Sequence, residues 1–90
     1  MVLKKFSDFK EVVKELDNSD YGLQAGIFTN NLSNAYYAYE NIEAGGIVIN
    51  EPSTFRVDSM PYGGMKLSGK GKEGVKYAIE EMTERKILII

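Results

Sequence analysis

Arg56 stands in a stretch with no lasting periodicity, beside Phe55 and near Glu51 and Asp58. A guanidinium on a loop presents a planar fork of donors suited to a bidentate contact with a carboxylate or phosphate. The simpler reading of Arg56 is an ion pair, either local or between elements. A second candidate is Gly69-Lys70-Gly71-Lys72-Glu73-Gly74, which matches the G-x-G-x-x-G pattern of a dinucleotide-phosphate loop. The helix start near Lys72, together with Lys70, also offers exposed amides to an anion. Tyr36, Tyr37 and Tyr39 provide stacking surfaces, but their helical spacing assigns them to core or interface packing. Glu80, Glu81 and Glu84 fall on one helix surface and read as solvated charges, not as a catalytic pair.

The glycine pattern lacks the context that its chemistry requires. A dinucleotide fingerprint follows a strand directly and is answered by an acidic residue about 20 positions further on. No strand signal precedes Gly69 across residues 62–68, and the chain ends sixteen residues after Gly74. Residues 61–74 hold five of the nine glycines, and within this chain they read as a tight turn that allows close approach to a helix start.

Cysteine and histidine are both absent. That removes disulfides, soft metal sites, thiol nucleophiles and imidazole acid-base chemistry together. No residue is therefore assigned a catalytic, cofactor-binding or metal-binding role in this chain. The net charge of -2 and the scattered basic residues give no footprint for a phosphodiester backbone, so no nucleic acid partner is expected. No apolar run approaches a bilayer span and no signal peptide follows Met1, so no membrane partner is expected and the expected location is cytoplasmic.

Ninety residues make one domain at most, with a thin margin of stability. Residues 2–6 read as a strand. Ser7 or Asp8 then caps a helix carrying Phe9, Val12, Val13 and Leu16 as one apolar stripe and ending near Asn18. A strand over 23–29 leads to a helix capped by Asn30 or Asn31, with Leu32, Ala35, Tyr36, Tyr39 and Ile42 on its buried face and Gly45 or Gly46 at its end. Residues 46–50 form an apolar strand covered on both faces, residues 51–71 an irregular segment, 72–84 a helix, and 86–90 a last strand. The order β-α-β-α-β-loop-α-β implies an α/β fold, a parallel sheet with helices on its faces. The final strand is an edge in need of a partner, so the chain is expected either to oligomerise or to belong to something larger.

Three stretches, taken in order and spacing, carry a resemblance: Tyr21-Gly22-Leu23-Gln24-Ala25-Gly26-Ile27-Phe28-Thr29, Ala44-Gly45-Gly46-Ile47-Val48-Ile49-Asn50, and the run from Met60 to Gly74. The chain resembles, over nearly its whole length, the C-terminal segment of the NAD(P)-dependent aldehyde dehydrogenase superfamily. Residues 50–58 look most like members acting on lactaldehyde, glyceraldehyde or its phosphate, and semialdehydes. Tyr62 replaces the usual phenylalanine and Lys72 the usual arginine, both mild changes.

The resemblance implies one fragment, 1–90, of a catalytic domain. Its parent would oxidise a small aldehyde to a carboxylic acid with NAD or NADP, through a cysteine nucleophile and a water-activating glutamate that both lie outside this chain. The chain alone is expected to be inactive. It implies substrate-entrance residues at Ser53, Thr54, Phe55, Arg56 and Tyr62, and an oligomerisation strand at 86–90 that pairs with a second copy. The missing N-terminal portion is the other implied partner. An alternative reading is a free-standing interaction module without catalytic activity, and a third has the glycine loop binding a nucleotide directly.

Overall fold

The first helix, α1, spans Phe9–Asp17 and starts where its cap is strongest. Asp8 Oδ1 accepts the Glu11 amide at 2.8 Å, satisfying a donor that the first turn leaves free. The computed structural model describes residues 1–90. Two short strands follow, β1 at Tyr21–Gly22 and β2 at Ala25–Ile27. The second helix, α2, spans Leu32–Asn41, and Asn31 Oδ1 caps it by accepting from the amides of Ser33 and Asn34. Strands β3 at Ile47–Ile49 and β4 at Met65–Lys66 and helix α3 at Val75–Met82 complete the order.

β2 and β3 pair in parallel with Ala25 opposite Ile47 and Ile27 opposite Ile49. Helix α2 makes the crossover between them, as a parallel pair requires. β1 pairs antiparallel with β4, Tyr21 opposite Lys66. The α/β class and the parallel pairing expected from the sequence are therefore present. They occur as two two-stranded sheets and not as one continuous parallel sheet.

Several boundaries need correction. Residues 2–6 were expected as a strand and are irregular and exposed, as are residues 86–90 in the single chain, where the second copy expected to pair with them is absent. A strand's amides and carbonyls need a neighbouring backbone, and none lies within reach of either terminus in this chain. The expected strand over 23–29 divides around Leu23 and Gln24 into β1 and β2, and β4 falls inside the segment read as irregular. Helix α3 is shorter than 72–84. No helix is long and apolar enough to cross a membrane.

The buried hydrophobic side chains are Val13, Ile27, Ala38 and Ile42, with Phe9, Ala25, Tyr37, Ala44 and Ile47 packed around them. α2 turns Ala38, whose lack of bulk admits α1 and the sheet, toward this core. Of the face expected to be buried, Ile42 joins this core, whereas Tyr36 and Tyr39 look outward, 60% and 68% exposed. Leu32, Ala35, Tyr36, Tyr39, Ile47 and Ile49 there line an open, wholly apolar groove of about 280 Å³. The radius of gyration is 16.6 Å and the long axis 63 Å, against about 12 Å for the radius of a compact domain of this length. Four buried residues cannot by themselves balance the ordering entropy of such a chain.

Directed polar contacts join elements that the core does not. Lys66 sits at φ 53°, in the left-handed region that disfavours a side chain. Its ammonium donates to the Asp17 backbone carbonyl, to Asp17 Oδ1 at 3.1 Å and to the Ser19 carbonyl at 3.2 Å. The same Asp17 Oδ1 accepts the Glu43 amide at 2.7 Å. One carboxylate thus joins the end of α1, the α2–β3 connection and β4.

The Glu43 amide first, and then Lys66, hold the Asp17 carboxyl below its ordinary value. A lowered carboxyl stabilises the fold at pH values above the ordinary carboxylate range, and that contribution is lost as pH falls through the lowered value. Asp17→Asn should therefore flatten the acid limb of the stability profile below about pH 4. Thermal melts across pH, with the Glu43 amide shift followed by NMR, check this. An unchanged acid limb would remove Asp17 from this role.

Candidate functional site

Asn50 ends β3 at φ 60°, a conformation that asparagine tolerates better than other side chains. Its amide donates to the Ile27 carbonyl at 2.8 Å, and its Oδ1 accepts the Thr29 amide at 2.8 Å. This fixes the direction in which the chain leaves the sheet. Two tight turns follow, closed by Phe55 N to Pro52 O and by Met60 N to Val57 O, each at 3.0 Å. Arg56 lies between them.

The first turn rests directly on β2. A Cβ placed on Gly26 would lie 2.8 Å from the Glu51 carbonyl oxygen and 2.9 Å from the Ser53 nitrogen. Gly26 is thus a strand position where another backbone approaches closely. Gln24, between β1 and β2, adds a second hold by donating from Nε2 to the Phe55 carbonyl at 2.8 Å. Its Oε1 is buried without a partner.

The Arg56 side chain turns back toward the glycine-rich segment. Its guanidinium lies 4.6 Å from the Tyr62 ring centroid, and Nη2 donates to Glu73 Oε2 at 2.8 Å. Tyr62 and Glu73 face each other through two backbone hydrogen bonds, Tyr62 N to Glu73 O at 3.2 Å and Glu73 N to Tyr62 O at 2.6 Å. Arg56, Tyr62 and Glu73 therefore form one cluster. The inter-element ion pair foreseen for Arg56 is present, with Glu73 as partner and not Glu51 or Asp58. The Arg56 and Glu73 side chains are 46% and 63% exposed, which limits the pair to roughly 0–1 kcal/mol.

Of the five residues expected at the substrate entrance, Arg56 and Tyr62 come together. Ser53, Thr54 and Phe55 lie exposed on the preceding turn, and no side-chain hydrogen bond joins them to that pair. Gln24 and Glu73 were not singled out. Gln24 looked like any residue at a strand start, and Glu73 was one variable position inside the glycine pattern. Their partners lie 31 and 17 residues away, so no local spacing marks them.

The diphosphate of a dinucleotide is held by free amides at a helix start, and α3 starts at Val75, beyond Lys72. Lys72 N already donates to Glu81 Oε1 at 3.2 Å, and Lys72 Nζ donates to the Gly63 carbonyl at 3.2 Å. The Glu81 carboxylate lies against Gly71, which turns the chain there at φ 81°. An internal carboxylate thus engages the Lys72 amide and the Gly71 turn.

The sequence model of the family described as "Aldehyde dehydrogenase family" matches residues 1–88. The chain belongs to that family. It is 52% identical over all 90 residues to a 3-sulfolactaldehyde dehydrogenase of Priestia megaterium, of which it covers 19%. Among solved structures, aldehyde dehydrogenase 21 from Physcomitrella patens, in complex with the reaction product succinate, superposes with a TM-score of 0.89 at 55% identity. That match covers 94% of this chain and 18% of the other. The glyceraldehyde-3-phosphate dehydrogenase GapN of Methanocaldococcus jannaschii, complexed with NADP, gives 0.80 at 49% identity, covering 84% and 17%. The chain thus spans about one fifth of the length of these relatives.

The support beneath the turn of residues 51–55 is directly testable. Gly26→Ala should displace residues 51–53 and destabilise the chain by about 1–3 kcal/mol, the usual cost of overpacking. Denaturant melts and the Ser53 amide shift report it. An unmoved Ser53 resonance with unchanged stability would mean that the turn does not rest on the strand.

Proposed function

We propose that this chain is the C-terminal part of the catalytic domain of an aldehyde dehydrogenase that oxidises a small anionic aldehyde to a carboxylic acid with NAD or NADP. The observation that carries this reading is the match of the entire chain, at 52% identity, to one fifth of the Priestia megaterium enzyme. The remaining four-fifths would bring the cofactor domain, the cysteine nucleophile and the glutamate that activates water. This chain, which has no cysteine, cannot form an acyl-enzyme.

Its own contribution is the substrate entrance and subunit contacts. Ser53, Thr54 and Phe55 line the approach, while Arg56, backed by Tyr62, meets the anionic end of the substrate. The substrate or product named for each of the three relatives carries an anionic group beyond the aldehyde carbon: a sulfonate, a second carboxylate or a phosphate. The open apolar groove on α2 and β3 packs against the rest of the catalytic domain, and residues 86–90 pair with a second copy. This assembly works in the cytoplasm.

Two experiments test this reading. The chain alone should reduce neither NAD nor NADP with lactaldehyde or succinate semialdehyde, whereas a chimera joining it to the preceding four-fifths of the Priestia enzyme should do so with at least one cofactor. Turnover by the chain alone, or a folded but inert chimera, would overturn the proposal. In the active chimera, Arg56→Ala should raise the KM for an anionic aldehyde above that for a neutral one by about 1–3 kcal/mol, the range for a hydrogen bond to a charged group. Equal changes for both substrates would leave Arg56 a structural role alone.

A further inference from the structure

Arg56 is held on two sides and open on the rest. The Tyr62 ring covers one face at 4.6 Å, and Glu73 takes one donor, Nη2. A guanidinium carries five N–H donors in a fixed fork, so the other donors remain for a second anion. With its side chain 46% exposed, Arg56 can take that anion edge-on without leaving Tyr62 or Glu73.

Glu73 then enters the electrostatics of the site directly. A guanidinium paired with a carboxylate carries no net charge, so an approaching anion meets an attraction from Arg56 that Glu73 partly offsets. Since the pair is half in solvent, the offset is moderate and grows with the charge on the anion. The backbone hydrogen bonds between Tyr62 and Glu73 fix the backbone from which the carboxylate reaches Arg56. Its position is set by the fold and its effect by its charge.

We propose that Glu73 is a specificity-determining residue, which moderates the charge of Arg56 and thereby sets how strongly the entrance favours anionic over neutral aldehydes, and dianionic over monoanionic ones. This rests on the reading that Arg56 meets the anionic end of the substrate. Neither Glu73 nor its carboxylate needs to touch the substrate for the effect.

Glu73→Gln keeps the size and the backbone pairing and removes the charge. In the chimeric enzyme, inhibition constants for the non-reacting alcohol analogues of neutral, monoanionic and dianionic aldehydes read binding without depending on turnover. In Glu73→Gln the monoanion should bind about five-fold tighter, the dianion tighter again by a similar factor, and the neutral analogue unchanged. The same set measured with Glu73→Asp should lie near the parent, because the charge is retained, and this guards against a general effect of altering the position.

The double variant Arg56→Ala, Glu73→Gln separates the two ideas. If Arg56→Ala alone leaves anion preference intact, the reading of Arg56 fails. If Arg56→Ala abolishes that preference and Glu73→Gln shows no dependence on charge, only the role of Glu73 fails. The charge-graded gain should vanish in the double variant. Its persistence there would overturn the proposal by showing that Glu73 repels anions independently of Arg56.

Discussion

The Lys66 ammonium donates to both a backbone and a side-chain oxygen of Asp17 across 49 residues of chain, and to the Ser19 carbonyl as well. Most of what lies beyond β3 is oriented by this contact. It fixes β4 beside β1, and β4 lies between Tyr62 and the glycine-rich approach to α3. The left-handed backbone at Lys66 is intelligible on the same ground: a conformation costing a side chain of order 1 kcal/mol persists when three acceptors require the ammonium in one place. With only four side chains in the core, geometry here depends more on directed polar contacts than on volume.

The division between what could be read from the sequence and what could not follows the range of the interactions involved. Asp8 and Asn31 were legible as caps because a cap reaches amides two or three residues away. The parallel β2–β3 pair was legible from an apolar run, a helix and another apolar run. The strands expected at 2–6 and 86–90 have strand-like composition, but composition supplies no partner, and pairing is a non-local condition. β4 shows the converse, because Met65 and Lys66 look like loop and become strand through β1 and the Asp17 contact. The face of α2 was legible only in part, Ile42 being buried as expected: apolar spacing identifies a stripe without saying which neighbour covers it, and Leu32, Tyr36 and Tyr39 of that stripe are exposed while the small Ala38 is buried.

The candidate site divides in the same way. Arg56 and Tyr62 could be named from residue type and resemblance, and the structure brings them within 4.6 Å. Glu73 and Gln24 could not, since each acts on a partner well outside its own local pattern. The glycine-rich pattern shows the hazard of reading chemistry from spacing alone. Its Lys72 amide and its Gly71 turn are engaged from within by Glu81, and Glu73, which the pattern treats as variable, pairs with Arg56.

The turn of residues 51–55 is gripped almost wholly through main-chain atoms: the Phe55 carbonyl by Gln24, the Glu51 and Ser53 backbone by the bare surface of Gly26, and its point of departure by Asn50. The side chains of Ser53, Thr54 and Phe55 make none of the hydrogen bonds that hold it. Such a segment behaves as an exchangeable cassette, whose amino acids can drift while its path stays constant. Lineages sharing this scaffold can thus acquire new preferences by successive single replacements, each neutral for folding, without passing through unstable ancestors.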